Sequence, residues 1–168
     1  MIVVTGGAGF IGSNIANTLI KKGYDIYISD FLDHPIKNLN IKDINIKKII
    51  NPKNLINFIK EHSKDVEIVI HMGAISSTAE KNLKLLLENN LFFSNEIFKV
   101  CEKYSIKLIY ASSAATYGDG SNGFNDNNSL LEFSKLSPIN YYGLSKHLFD
   151  LNILSKRESN KNLRSRPV

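Results

Sequence analysis

Two groups of residues in this 168-residue chain have types and spacings that could carry chemistry. The first is the run at 5–12, which contains Gly7, Gly9 and Gly12 in the pattern Gly-x-Gly-x-x-Gly. Glycines so spaced allow a tight turn and let backbone N–H groups at a helix N-terminus approach the pyrophosphate of a dinucleotide. Asp30 follows 18 residues after Gly12, where a carboxylate can bind the adenosine ribose. The pattern predicts a dinucleotide site; a glycine-rich turn without a ligand is the alternative.

Tyr142 and Lys146 form the second group, a Tyr-x-x-x-Lys pair. Residues four apart share one face of a helix, so the phenol and the ammonium are expected to point the same way. A phenol with an ordinary pKa of about 10 is a weak acid–base group at neutral pH, and a neighbouring cation stabilises its phenolate. Ser112 and Ser113 follow an apolar segment, where a hydroxyl can bind a substrate oxygen. Taken singly, these features also fit an amphipathic helix face and a polar turn cap.

The elements that must position these residues alternate between strand and helix patterns. Strands are predicted at 1–5, 26–29, 66–71 and 106–111, with a further strand near 41–46 inside an irregular segment, 31–50. Helices are predicted at 12–23, 52–64, 83–104 and 141–156. The alternation predicts an α/β fold with a doubly wound parallel sheet, a Rossmann-type NAD(P)-binding fold, whose ligands bind at the carboxyl ends of the strands. We expect the NAD(P)-binding domain at 1–155 and a basic tail at 156–168.

Composition excludes several other classes. The chain is 43% hydrophobic and 22% charged with a net charge of +5, which is typical of a globular domain. Five basic residues against one glutamate lie in 156–168, so the body is nearly neutral and no nucleic-acid partner is expected. No apolar run reaches the ~18 residues of a membrane span. The single Cys101 and four scattered histidines predict neither a disulfide nor a metal site, and we expect a cytoplasmic protein.

Together these motifs resemble the extended short-chain dehydrogenase/reductase family, the nucleotide-sugar epimerases and dehydratases. The segments at 5–15, 71–80, 88–90, 110–118 and 143–150 are similar, more narrowly, to the ADP-L-glycero-D-manno-heptose 6-epimerases. The resemblance covers nearly the whole chain but only the N-terminal half of such an enzyme. It implies that the tail at 156–168 leads towards a missing sixth strand and substrate domain. It implies an NADP-dependent epimerase that oxidises and reduces ADP-heptose for the lipopolysaccharide core, and a homo-oligomer at full length.

Two other functions stay open alongside this one. One is a different nucleotide-sugar epimerase or dehydratase, such as a UDP-galactose 4-epimerase-like enzyme. The other is a dinucleotide-binding remnant without turnover. Because the substrate domain is expected to lie beyond residue 168, we expect the chain alone not to epimerise ADP-heptose.

The resemblance also implies roles for individual residues. Tyr142 becomes the acid–base group, Lys146 its activator and a ribose ligand, and Ser113, rather than Ser112, the hydroxyl that orients the substrate oxygen. The residues expected to bind the cofactor are Gly6, Gly9, Phe10, Ile11, Gly12, Asp30, Lys37, Lys53, Gly73, Ala74, Asn90 and Lys146.

The choice of cofactor depends on three of these residues. Lys37 and Lys53 fall where the resemblance places lysines around the 2′-phosphate, so they favour NADP, with NAD as the alternative. They could also be ordinary solvated lysines. Asp30 alone favours NAD, since a carboxylate repels that phosphate. In the segment 71–74 the family has a glutamate where this chain has Met72, so one carboxylate beside the cofactor is absent. His71 is expected to be a hydrogen-bonding residue at a strand end.

Overall fold

The computed structural model describes residues 1–126, 129–159 and 166–167. The chain divides into two compact units. The sheet unit comprises Met1–Gly73 with Ile97–Tyr110, and the helical unit comprises Ala74–Glu96 with Ala111–Val168.

Five parallel strands form the centre of the sheet unit. They are β1 (Ile2–Thr5), β2 (Ile26–Ser29), β3 (Lys48–Ile50), β4 (Ile68–His71) and β5 (Lys107–Tyr110). Their order in the sheet is β3-β2-β1-β4-β5. The chain therefore proceeds outward from β1 through β2 and β3, then returns to the other side of β1 for β4. Such a reversal is the point at which doubly wound sheets bind ligands, at the carboxyl ends of the strands.

Three helices complete the sheet unit before β4. They are α1 (Phe10–Lys21), α2 (Pro35–Ile41) and α3 (Leu55–Glu61), the last preceded by a 3₁₀ turn at Pro52–Asn54. All four residues of β1 are buried, as expected of a central parallel strand that is covered on both faces. Helices α1 and α2 contribute to one cluster of buried aliphatic residues with the strands: Ile2, Val4, Ala8, Ala16, Ile26, Ile28 and Ile41.

The helical unit begins with one long helical stretch. Helix α4 (Leu83–Leu86) continues through a π-helical segment, Leu87–Phe92, into α5 (Phe93–Lys103), which contributes residues to both units. A 3₁₀ turn (Ala114–Tyr117), α6 (Leu130–Phe133), α7 (Tyr141–Ser159) and a two-residue strand β6 (Arg166–Pro167) follow. None of the helices among the described residues combines the length and the apolar character that crossing a membrane requires.

The structure confirms the alternation of strands and helices but corrects the segment 31–50. The strand expected near 41–46 is wrong, because α2 ends at Ile41, residues 42–47 form turns and bends, and β3 begins only at Lys48. The imidazole of His34 accepts a hydrogen bond from the Ile36 N–H, and Pro35 stands in the first turn, where a missing N–H has no cost. Of the expected tail, positions 160–165 and 168 lie outside the described residues, and 166–167 form β6.

Candidate functional site

Packing requires three glycines of the run at 5–12: Gly7, whose added Cβ would lie 2.5 Å from the Cβ of Ile28, and Gly6 and Gly12. Gly6 has a φ of +62°, and a Cβ added to it would lie 2.7 Å from the Cα of Gly73. A Cβ added to Gly12 would lie 2.2 Å from the carbonyl oxygen of Gly6. All three distances are shorter than real Cβ contacts. These glycines therefore form the tight turn and the close strand–helix approach that the motif predicts.

Gly9 differs because packing alone does not explain it. It is the N-cap of α1 with φ −71° and ψ 171°, a conformation open to any residue. An added Cβ would meet only the Gly6 carbonyl oxygen, at 3.2 Å. The next two residues, Phe10 and Ile11, are exposed in the first turn of α1. The absence of a side chain at Gly9 leaves the N–H groups of this turn accessible, so the loop fits a pyrophosphate.

The ends of β1 and β4 are joined by the Thr5 hydroxyl. Its oxygen lies 2.6 Å from Nδ1 of His71 and accepts a hydrogen bond from the Gly73 N–H at 3.1 Å. The expectation that His71 is a hydrogen-bonding residue at a strand end is confirmed. Sequence reasoning missed Thr5, whose only signal is its position at the end of the first strand. Ala74, the next expected ligand, is exposed and begins the helical unit.

Asp30 lies directly after β2 and is hydrogen-bonded to the run at 5–12, called the glycine loop from here on. Its Oδ2 accepts a hydrogen bond from the Ala8 N–H at 2.9 Å, and its side chain is only 8% exposed. The Lys37 ammonium donates to Asp30 Oδ1 at 3.0 Å, to Asp33 Oδ1 at 2.9 Å and to the Phe31 carbonyl at 2.8 Å. Partial burial lowers the pKa of Lys37, but its bonds to Asp33 and Asp30 outweigh burial and raise it above 10.5. The ammonium is therefore fully charged at neutral pH.

Lys53 occupies the 3₁₀ turn that follows β3, with its side chain exposed. The Asp30 N–H donates to the Ile50 carbonyl at 3.3 Å, so the end of β3 adjoins Asp30. The structure thus brings Asp30 and Lys37 together, and leaves Lys53 in the turn three residues beyond β3.

A buried lysine and a buried aspartate mark the site in the helical unit. On α7, Lys146 is 2% exposed, and Asp150, one turn later, is 1% exposed. Burial lowers the pKa of Lys146, and the charge of Asp150 opposes that effect. The Ser112 hydroxyl donates to Oδ2 of Asp150 at 2.5 Å. Asp150 therefore holds Ser112 in place and stabilises the charged form of Lys146. The sequence did not identify Asp150 as a site residue.

Ser113 has a different role from Ser112. Its Oγ caps the 3₁₀ turn by accepting a hydrogen bond from the Ala115 N–H at 3.1 Å. A hydroxyl that accepts one bond keeps its own hydrogen to donate. This arrangement supports the choice of Ser113 as the substrate-orienting hydroxyl, because the hydrogen of Ser112 is already bound to Asp150.

Tyr142 stands in the first turn of α7, half-buried, one helical turn before Lys146. The neighbouring Gly143 is buried, and an added Cβ would lie 2.6 Å from the Ala115 carbonyl oxygen. This glycine lets the start of α7 approach the turn that carries Ser113. It went unnoticed in the sequence, although a glycine within the first turn of a strong helix is a signal of close packing.

Asn90 lies in the π-helical segment, a helix form that is often found at functional sites. Its amide is used within the helical unit: Oδ1 accepts from the Ile75 N–H at 2.8 Å, and Nδ2 donates to the Ile75 carbonyl at 3.0 Å and to Ser145 Oγ at 3.0 Å. Ser145 in turn donates to the Tyr142 carbonyl at 2.7 Å. Asn90 therefore positions the start of α7, and a direct contact with a cofactor stays a prediction.

The surroundings of Tyr117 and Cys101 exclude these two residues as candidate reactive groups. Tyr117 hydrogen-bonds the carboxylate of Asp126, and this bond, with burial, raises its pKa to about 12. Its phenol is therefore held in the protonated form. Cys101 is buried, and burial raises its pKa to about 12, so its thiol is an apolar core group. Among the described residues, no three His, Cys, Asp or Glu side chains cluster as metal ligands would.

The class of protein that this fold and these motifs define is confirmed by comparison with known families. The model of the NAD dependent epimerase/dehydratase family matches residues 2–165. The chain belongs to this family.

Comparison with individual proteins shows which members of the family the chain resembles. The chain is 45% identical over 153 residues to ADP-L-glycero-D-manno-heptose-6-epimerase of Fusobacterium nucleatum, covering 89% of this chain and 46% of that protein. Among solved structures it is similar to the Helicobacter pylori enzyme of the same name, with TM-score 0.79 and 27% identity over 99% of this chain and 53% of the other. The UDP-Glc/GlcNAc 4-epimerase of Campylobacter jejuni gives TM-score 0.81 at 21% identity, over 99% and 51%, and shows the fold alone. The chain spans about half the length of these proteins.

Proposed function

We propose that the chain supplies the cofactor-binding and proton-transferring half of a nucleotide-sugar epimerase that acts on ADP-heptose. The observation that carries this proposal is the buried Lys146, held beside Asp150 one turn after Tyr142. Burying an ammonium costs folding free energy, so a buried lysine indicates a functional purpose. In a chain whose glycine loop also fits a dinucleotide, activation of the tyrosine is that purpose.

The cofactor of this proposal is a nicotinamide dinucleotide. The chemistry it would supply when bound is the acceptance of a hydride from a substrate carbon and its return, so no net oxidation would result. The first-turn N–H groups after Gly9 would hold its pyrophosphate, and Asp30 its adenosine ribose. NADP is the cofactor expected from Lys37 and Lys53, and NAD is expected from Asp30.

The chain's own residues would manage the proton. Tyr142, as the phenolate, would take a proton from the sugar hydroxyl during oxidation, and the phenol so formed would return that proton during reduction. Lys146 favours the phenolate form because a cation stabilises a neighbouring anion. Ser113 donates its hydrogen bond to the same substrate oxygen and orients it. Cytoplasmic localisation, a role in lipopolysaccharide synthesis and homo-oligomerisation of the full-length enzyme stay predictions.

The ADP-heptose substrate is favoured by the relative at 45% identity. Likeness to the UDP-sugar 4-epimerases lies under 25% identity and supports the shared fold only. A dinucleotide-binding remnant without turnover is the second candidate, because the chain spans 46% of that relative. The two candidates differ in whether a restored C-terminal half gives activity.

The test joins this chain to the C-terminal half of the F. nucleatum relative. We expect the joined protein to epimerise ADP-heptose, and the 168-residue chain alone to give no turnover. Tyr142→Phe in the joined protein removes the transferable proton, so we expect a loss of about 10²- to 10⁴-fold in kcat with cofactor binding retained. Tyr141→Phe is the matched control, because that tyrosine precedes the pair and is exposed. A joined protein that folds and binds cofactor but epimerises UDP-sugars instead, or nothing, would contradict the proposal.

A further inference from the structure

We infer that Asp33 is a specificity-determining residue, which with Asp30 holds Lys37 and biases the dinucleotide site towards NAD over NADP. This inference rests on the proposed function, since it concerns the same cofactor. It also opposes the preference for NADP that the two lysines suggest in the sequence.

The first step of the argument is the number of hydrogen bonds that Lys37 can donate. An ammonium has three N–H groups and no acceptor. The structure gives Lys37 three acceptors at bonding distance: Asp30 Oδ1 at 3.0 Å, Asp33 Oδ1 at 2.9 Å and the Phe31 carbonyl at 2.8 Å. Its side chain is 29% exposed. Lys37 therefore has to give up an existing partner before it can bind a 2′-phosphate.

The second step is the balance of charge at this edge of the site. One ammonium is shared between two carboxylates, so the trio carries a net charge of −1 before any ligand arrives. A 2′-phosphate adds close to two negative charges at neutral pH. The 2′-hydroxyl of NAD adds none, and it can donate a hydrogen bond to the Asp30 carboxylate. The trio therefore penalises NADP and accommodates NAD.

The third step separates the two carboxylates. Asp30 is nearly buried and also accepts the Ala8 N–H, so it belongs to the loop itself. Asp33 is 69% exposed and lies four residues before Lys37, just ahead of α2. Its pKa is lowered, chiefly by the hydrogen bond from Lys37, so it is charged at neutral pH. Asp33 can therefore be neutralised without disturbing the ribose-binding carboxylate.

The experiment measures dissociation constants of NAD and NADP for the 168-residue chain by calorimetry, with the fold checked by circular dichroism. Asp33→Asn keeps the shape of the side chain and removes its charge. The matched control is Asp25→Asn, because Asp25 is 63% exposed, pairs with Lys47 at 3.1 Å and precedes β2 at the opposite end of that strand. Both variants raise the net charge by one.

We expect wild type to bind NAD more tightly than NADP. Asp33→Asn should strengthen NADP binding by about three- to tenfold and change NAD binding by less than about twofold. Asp25→Asn should leave both affinities unchanged, and the double variant Asp33→Asn, Lys37→Met should lose the gain for NADP. Equal shifts for the two cofactors, or no shift, would overturn the role of Asp33 while leaving the proposed function intact. A wild-type chain that folds but binds neither dinucleotide would overturn both.

Discussion

The glycine loop of the sheet unit and the start of α7 in the helical unit are built by different means. The loop is made of backbone: Gly6 and Gly12 are fixed by contacts that no side chain could share, and Gly9 leaves a helix terminus open. The α7 site is made of buried polar side chains, Lys146 and Asp150 among them. A backbone site depends on residue type at fixed spacing. A side-chain site depends on partners that are distant in the sequence.

This difference predicts different consequences of substitution. In the loop, the residue that keeps the ligand's approach open is distinct from those required for folding, so binding and stability can be separated. Around α7, Asp150 is hydrogen-bonded to Ser112 and interacts by charge with Lys146, so stability and activity are coupled there. Ser112 and Ser113 are the exception to this coupling. Ser112 is bound to Asp150, whereas Ser113 caps the 3₁₀ turn and keeps its hydrogen free to donate.

The largest effect that would test this exception comes from the two serines. In the joined protein, Ser113→Ala removes a hydroxyl that can donate to substrate, and we expect a loss of about 10- to 100-fold in kcat with little change in stability. Ser112→Ala instead leaves Asp150 without its 2.5 Å donor, and we expect a loss of about 1–2 kcal/mol in unfolding free energy. Denaturant unfolding and initial rates measure the two quantities. The reverse assignment of effects would show that Ser112 is the substrate-orienting hydroxyl.

A smaller effect concerns the charge of Asp150. Burial holds the pKa of Lys146 below 10.5 and Asp150 opposes this, so Asp150→Asn should lower that pKa further. Lys146 then loses its proton at lower pH, and we expect the alkaline decline of the epimerisation rate to move down by about one pH unit. Asn can still accept the hydrogen bond from Ser112, so packing is retained. Tyr117, with its pKa of about 12, stays protonated over this range.

Folding stability gives an independent readout of the same change. The folded chain binds the Lys146 proton less tightly than the unfolded chain does, so stability increases as pH rises from the folded pKa towards 10.5. Asp150→Asn should extend this rise to lower pH. The control Asp25→Asn carries the same change of net charge on an exposed side chain and should leave both profiles unchanged. Superimposable profiles for Asp150→Asn and wild type would show that Asp150 does not stabilise the ammonium.

Much of the fold could be predicted from the sequence because its elements are locally consistent. β1, β2, β4 and β5 coincide with apolar, β-branched runs, and α1 ends near Gly23 as its pattern predicts. The segment 31–50 could not be read in this way, since its isoleucines fit a strand as well as a helix. The deciding features were local: the His34 cap and Pro35 start α2. The π-helical segment has no signal in hydrophobic periodicity.

Residues of the candidate site were predicted where they belong to a sequence motif. They were missed where only their contacts in the structure identify them. The glycines, Asp30, Tyr142 and Lys146 follow from spacing alone. Thr5 and Asp150 do not, because each is hydrogen-bonded to a partner that is distant in the sequence. Asp33 also went unnoticed, although its partner Lys37 lies only four residues later. Lys37 shows the limit most clearly. Its charge was visible in the sequence, but the two carboxylates that occupy it were not.

The central claim, that the glycine loop binds a nicotinamide dinucleotide, is tested most directly by titrating NAD into wild type and Gly9→Val by calorimetry. The backbone at Gly9 accepts valine, and its nearest contact, 3.2 Å from the Gly6 oxygen, needs to move only a few tenths of an ångström. We therefore expect circular dichroism to show an intact fold in both proteins. Wild type should bind one dinucleotide per chain, and the valine side chain should abolish binding by covering the first-turn N–H groups. Equal affinity in the two folded proteins would contradict the account.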